Sequence, residues 1–329
     1  MRPKLSICIP SYNRADLLND TLDCISSQLR PEVEIFVSDN ASTDNTSEML
    51  RSWEQKLPNF RWHRLPENVG YDRNFINLIN GATGDYCWIL SSDDLVEPGT
   101  IDAILSGLSS HSSLSGVTLN GKGFSRDMNV QIQETTFSNH KNLNRDTLFE
   151  DGELAYSEIG EYFGFVSAQV INRELALKVI KDDLIYDYLN LYIHVYVIGR
   201  ILQIAPRWLY LDQPLIQWRS GNDSIHELGR IRRLAVDVNG FEKISRDVWG
   251  ISSKPYRTVQ ERVCRMFVCA SLLESKVNKQ SSLKYMMAII KLCAPVYWRY
   301  PVFWYRVLPF ILLPGWFLIR LKSLKNIRS

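Results

Sequence analysis

The sequence predicts an α/β fold, a mostly parallel sheet flanked by helices, followed by a helical C-terminal region. Two observations carry that prediction. Over about the first 95 residues, short β-branched runs ending in turn residues alternate with apolar residues at helical spacing, the pattern of βα units. A length of 329 residues, 45% hydrophobic and 22% charged, suits one large or two modest globular domains.

"LSICIP" and "VEIFVSDN" read as strands, and between them "RADLLNDTLDCISSQL" places Leu17, Leu18, Leu22, Ile25 and Leu29 at helical spacing. A second helix starts near Thr43, where Ser42 or Thr43 can cap and Asp44 sits in the first turn, and runs through Met49, Leu50 and Trp53. "NFRWHRL" is a third strand, "YDRNFINLINGA" a helix ended by Gly81 or Gly84, and "DYCWIL" a fourth strand. From Thr100 to Ile159 the signal is weak, with polar segments typical of loops. Beyond it, "FGFVSAQVIN" reads as a strand, "RELALKVI" as a helix, "LNLYIHVYVIGRILQI" as a longer apolar helix and "RWLYLDQPLIQWR" as a strand with a proline turn. A helical stretch from about Arg230 to Val277 leads into the tail. The six cysteines form no CxxC pair and "MRPKLSICIPSYN" lacks the apolar core of a signal peptide, so reduced, buried thiols of a cytoplasmic protein are expected.

Ligands of open α/β sheets bind beyond the carboxyl ends of the strands. The residues to read there are Pro10, Ser11, Tyr12 and Asn13 after the first strand, Ser38, Asp39 and Asn40 after the second, and Ser91 to Asp94 after the fourth. "WILSSDD" ends an apolar run on adjacent carboxylates, Asp93 and Asp94, which repel each other. A hard divalent cation would relieve that repulsion; alternatively the pair caps the following turn. Asp39 can accept hydrogen bonds from a base or ribose, or act with Asn40, Ser42 and Asp44 as a turn residue. Pro10 and Tyr12 stand where a GxGxxG turn would lie, which argues against a dinucleotide cradle of that kind.

Taken together, "LSICIPSYNRADLL", "VEIFVSDNASTDNT", "ENVGYDRNFINLINGATGDY" and "WILSSDD" resemble the successive motifs of the family 2 glycosyltransferases. The resemblance covers about the first 100 residues, and overall proportions, "SSDD" and "RSGNDS" look most like bacterial O-antigen enzymes of the abequosyltransferase type. It implies the GT-A fold over residues 1–228, with a nucleotide-binding half, 1–100, an acceptor-side half, 101–228, and a separate region, 229–329. It further implies that the Pro10, Tyr12, Asn13, Asp39 and Asn40 positions line the nucleotide pocket and that Arg73 lies near the diphosphate. Asp93 and Asp94 would hold Mg²⁺ or Mn²⁺ on the donor, Asp93 also touching the nucleotide. Ser91 or Ser92 replaces one acid of the family pattern, so metal binding is expected to be weak without nucleotide. The implied chemistry is glycosyl transfer through an oxocarbenium-like transition state, with a base for the acceptor hydroxyl if the reaction inverts. His194 falls at the family's base position, Asp187 is the next candidate, and the alternative for His194 is a satisfied, partly buried residue. Arg219 in "WRSGNDS" can clamp a phosphate with Asn222 and Ser224 as donors, or belong to a solvated turn.

The net charge of +2 conceals an asymmetry. Ser275 to Ser329 holds ten Lys or Arg and no Asp or Glu, which leaves about −8 on the remainder. The longest uncharged run there, Val307 to Ile319, has 13 residues and is interrupted by Pro309 and Pro314, too short to span a membrane. Trp298, Phe303, Trp304, Trp316 and Phe317 beside basic residues suit either an interfacial anchor on an anionic membrane or a helical subdomain packed on the catalytic core. The resulting expectation is a peripheral enzyme at the cytoplasmic face of the inner membrane. Its partners would be a CDP-, UDP-, GDP- or dTDP-linked sugar donor and a lipid-linked oligosaccharide, without nucleic acid. A sugar-phosphate nucleotidyltransferase and a non-catalytic membrane-bound scaffold are the competing readings.

Overall fold

The computed structural model describes residues 4–136, 143–221, 229–278 and 282–317. Two compact units divide the chain, Met1–Asp223 and Ser224–Ser329.

In the first unit, β1 (Leu5–Ser11), α1 (Ala15–Ser26), β2 (Val33–Asp39), α2 (Thr46–Lys56), β3 (Phe60–Arg64), α3 (Tyr71–Gly81) and β4 (Tyr86–Ile89) alternate as the sequence predicts. Strands β1 and β2 are buried almost throughout, which explains their unbroken apolar runs. Next come β5 (Leu95–Val96), α4 (Thr100–Ser110), β6 (Gly116–Phe124), β7 (Gln131–Gln133), β8 (Thr147–Phe149) and α5 (Gly152–Ile159). The unit closes with β9 (Gln169–Asn172), α6 (Arg173–Ile180), α7 (Ile193–Ile204) and β10 (Trp208–Arg219). The sheet runs β3-β2-β1-β4-β9-β6-β10-β5, with β7 on β6 and β8 on β10. Strands β1 to β4 are mutually parallel, whereas β9 runs antiparallel to both β4 and β6.

The stretch from Thr100 to Ile159, which reads as loop, contains a full helix and a central strand. In β6, "GVTLNGKGF", glycines mask the strand signal because β10 lies over them. A Cβ on Gly116 would come within 2.3 Å of the Trp208 ring, and one on Gly123 within 2.3 Å of Trp218. "FGFVSAQVIN" is extended only over Gln169–Asn172; Gly160–Gly164 and Val166–Ala168 are 3₁₀ turns that deliver Ser167 to the end of β4. Helix α7 begins at Ile193 rather than Leu189, because Leu191 adopts a φ of +73° and Asp72 accepts the Leu191 and Ile193 N–H groups at 2.8 and 3.3 Å. All six cysteines are free, five of them buried.

The second unit is helical: α8 (Arg230–Trp249), α9 (Lys254–Val263), a π-helical turn (Cys264–Cys269), α10 (Ala270–Val277), α11 (Leu283–Tyr297) and α12 (Leu308–Leu312). Met286, Ile289, Cys293, Tyr297, Val302, Phe303 and Val307 of the basic tail pack with Leu234, Val238 and Val268 in one core. Much of the expected anchor is thus the interior of this unit, while Trp298, Trp304 and Trp316 stay exposed. Among the described residues no helix is long and apolar enough to cross a membrane.

Candidate active site

Parallel pairing brings the carboxyl ends of β1, β2 and β3 level: Ser11 is in register with Asp39, and Asp39 with Arg64. The loops that follow are laced together. Asn13, held at a φ of +52°, donates its N–H to Ser42 Oγ at 2.9 Å and accepts from the Thr43 N–H at 2.7 Å. Asn40 accepts from the Val69 N–H at 2.9 Å and donates to Asn68 at 2.9 Å, tying "ENVG" to the end of β2. Asp39 is fully buried; it accepts from the Ser42 N–H and the Ser47 hydroxyl, both at 2.9 Å, with Arg64 at 3.6 Å. Its carboxylate thus bonds the turn that follows β2. Tyr12 is exposed on the rim, Pro10 is half-buried in β1, and the buried Ser11 hydroxyl has no hydrogen-bond partner among the described residues.

Asp93 and Asp94, 7% and 5% exposed, sit at the end of β4 in a cage of donors. Arg14 approaches Asp93 at 2.8 Å, and the Ser91 hydroxyl donates to the same carboxylate. Asp94 accepts from the Ser167 hydroxyl at 2.6 Å and the Arg219 N–H at 3.1 Å. The Arg219 side chain spans the cage, donating to the Asp93 carbonyl at 3.1 Å and the Arg126 carbonyl at 2.8 Å, 3.8 Å from Asp20. Burial, and then the charge of Asp93, push the Asp94 carboxyl up to about 7. Ser91, one of the two serines that the resemblance sets at an acid position, is thus a donor to Asp93.

A second cluster gathers around His194, which is 4% exposed. Its ring lies edge-on to Tyr71, with Nδ1 3.3 Å from the Tyr71 hydroxyl and Nε2 3.4 Å from the Gly164 carbonyl. A carbonyl can only accept, so Nε2 carries the proton and Nδ1 accepts from Tyr71. Burial pulls the imidazole down to about 4, which keeps it neutral at physiological pH. Asp187 is exposed in a 3₁₀ turn, beside Tyr186, whose ring lies 5.8 Å from the exposed Arg73 guanidinium. Asn222 and Ser224 lie outside the described residues.

Residues 6–166 match the model of the glycosyl transferase family 2. Over 257 residues the chain is 29% identical to the abequosyltransferase RfbV of Salmonella typhimurium, covering 74% of this chain and 75% of that protein. By these matches the chain is a glycosyltransferase that resembles family 2 over residues 6–166. A shorter match, 29% over 105 residues, covers 31% of this glycosyltransferase and 34% of the GalNAc(5)-diNAcBac-PP-undecaprenol beta-1,3-glucosyltransferase of Campylobacter jejuni. Its GT-A fold is shared with S. aureus TarS 1-349 in complex with UDP-GlcNAc (TM-score 0.61, 17% identity, 89% of this chain and 81% of that one). The mannosyltransferase PcManGT of Pyrobaculum calidifontis in complex with GDP-Man and Mn²⁺ shares it too (TM-score 0.55, 17% identity, 95% and 86%).

The carboxylate pair of this glycosyltransferase fits a shared cation. Asp93 and Asp94 offer hard oxygens whose mutual repulsion a cation would relieve, and among the described residues no cluster of three or more His, Cys, Asp or Glu could cage one alone. Mg²⁺ and Mn²⁺ habitually take remaining ligands from substrate phosphate and water. Sequence reasoning missed Arg14, Ser167 and Asp72. Arg14 stands inside the first motif, but nothing in the sequence ties Ser167 to a carboxylate 73 positions earlier.

Proposed function

We propose that this glycosyltransferase moves a sugar, of the dideoxyhexose class of abequose, from a nucleotide-diphosphate donor to a lipid-linked oligosaccharide in cell-surface polysaccharide synthesis, at the cytoplasmic face of the inner membrane. The observation that carries this reading is the caged carboxylate pair, with Arg14 and Arg219 around it, at the end of β4. The similarity to an abequosyltransferase across three quarters of both chains supports the sugar class, and the relative whose name includes PP-undecaprenol supports the acceptor class.

In this reading Tyr12 and the loops held by Pro10, Asn13, Asp39 and Asn40 receive the nucleotide. Asp93 and Asp94 hold Mg²⁺ or Mn²⁺, which supplies charge neutralisation at the leaving diphosphate. Arg14, Arg219 and Arg73 add fixed positive charge to the same leaving group, worth most where water is excluded. A neutral imidazole with both nitrogens engaged positions Tyr71, whereas Asp187, exposed next to the Arg73–Tyr186 stack, is the carboxylate free of such burial for the acceptor hydroxyl.

Hydrolysis and transfer with CDP-, UDP-, GDP- and dTDP-sugars, with Mn²⁺ or a chelator, test the proposal. Turnover of a CDP-linked donor that needs Mn²⁺ and vanishes in the Asp93→Ala, Asp94→Ala double variant is expected. Turnover that survives the double variant would remove the metal role. Silence with every donor would favour a scaffold, and nucleotide transfer to a sugar phosphate a nucleotidyltransferase.

A further inference from the structure

The second unit contains an open cleft of about 780 Å³, in the size range of small-ligand sites, lined by Tyr256, Arg257, Trp298, Arg299 and Tyr300. Two glutamates also line it, and each is met by an arginine of the same helical run: Glu242 by Arg246 at 2.9 Å, and Glu261 by Arg265. Arg257 and Arg299 have no carboxylate paired with them among the described residues. Arg257 reaches the Ser253 carbonyl at 3.3 Å, and the Arg299 guanidinium lies 5.1 Å from the Trp298 ring centroid. The unit as a whole carries nineteen Lys or Arg against six Asp or Glu. The wall of the cleft is also amphipathic. Ile251 and Trp298 in it are half-exposed, and outside the lining the half-exposed Trp304 indole donates to the Trp298 carbonyl at 2.7 Å.

These properties restrict the ligand. A purely apolar guest would desolvate two arginines without compensation, and a neutral sugar would leave their charge unmatched. A phosphate group accepts from a guanidinium fork and balances its charge, and a hydrocarbon chain attached to it suits exposed indoles beside cations. We infer that this cleft receives the diphosphate headgroup of the polyprenyl lipid carrying the acceptor, an inference resting on the reading that the acceptor is lipid-linked. The second unit then recognises the carrier itself, beyond any general attraction to an anionic surface.

The test uses the full chain and phosphatidylcholine vesicles doped with a polyprenyl diphosphate, or with phosphatidylglycerol at equal surface charge. Binding to the first is expected to be at least roughly tenfold tighter, the scale of one charge-assisted hydrogen bond, and inorganic pyrophosphate should compete. Arg257→Gln and Arg299→Gln should each remove most of that preference, with Arg257→Lys keeping part of it and all variants retaining the parental unfolding transition. Equal binding to both vesicles, or a preference that persists in the folded double variant, would overturn the inference. Donor hydrolysis measured alongside separates the two failures. Hydrolysis without vesicle preference removes the cleft's role alone, whereas no hydrolysis of any donor removes the sugar-transfer reading.

Discussion

Replacing Asp94 by Asn should make the free protein more stable while abolishing its turnover. The amide is isosteric, its oxygen can accept the Arg219 N–H, and its NH₂ can donate to Ser167, whose hydroxyl then turns round. What the change removes is a buried charge beside Asp93. A carboxyl raised from 3.8 to about 7 corresponds to an upper bound of roughly 4 kcal/mol against the folded state once ionised, at about 1.36 kcal/mol per pH unit. The sign follows from proton binding: between pH 3.8 and about 7 the folded chain holds more protons than the unfolded one, so this group's burden grows as pH rises. Urea unfolding at pH 8 should therefore show Asp94→Asn stabilised by a few kcal/mol, with the gain shrinking towards zero near pH 4. A variant that is less stable at pH 8, or equally stabilised at both pH values, would refute the reasoning.

Arg14→Gln takes away the cation nearest Asp93; Mn²⁺ binding without nucleotide, followed by electron paramagnetic resonance, should tighten, while nucleoside diphosphate affinity falls roughly tenfold. His194, held near 4 against an ordinary 6.5, favours the folded state fully above pH 6.5 and loses that contribution as pH falls towards 4, by up to roughly 3 kcal/mol. His194→Gln should accordingly flatten part of the stability loss between pH 7 and 5, and identical slopes would contradict the burial argument. Gly116→Ala drives a methyl into Trp208 and the Val170 carbonyl, so a loss of roughly 3 kcal/mol, read as a lowered melting temperature, is expected.

The first four strands were legible because each is an apolar run closed by turn residues, and the helices between them keep a clean 3.6-residue spacing. Strand β6 was not, because its fit to Trp208 and Trp218 requires glycines, residues that sequence reading assigns to loops. Asp93, Asp94 and Arg219 could be named from motif position, and the structure brings them together. His194 could be named as well, but the depth at which Tyr71 and Gly164 enclose it is set by tertiary packing that no local pattern encodes. Asp39 shows the same limit: its position after β2 is what sequence reading marks, while the hydrogen bonds it makes within the following turn emerge only from the fold.

The antiparallel join of β4 and β9 has a practical corollary for anyone building chimeras of these enzymes. Because β9 runs back along β4, the turn before it supplies Ser167, and the end of β10 supplies Arg219, to a carboxylate encoded near residue 94. A crossover placed at residue 100, where the recognisable motifs stop, would import Asp94 without the two donors that hold it. Grafts that keep 4–221 as one block should inherit a working cage, and grafts cut at the motif boundary should need Ser167 and Arg219 restored before donor specificity can be compared.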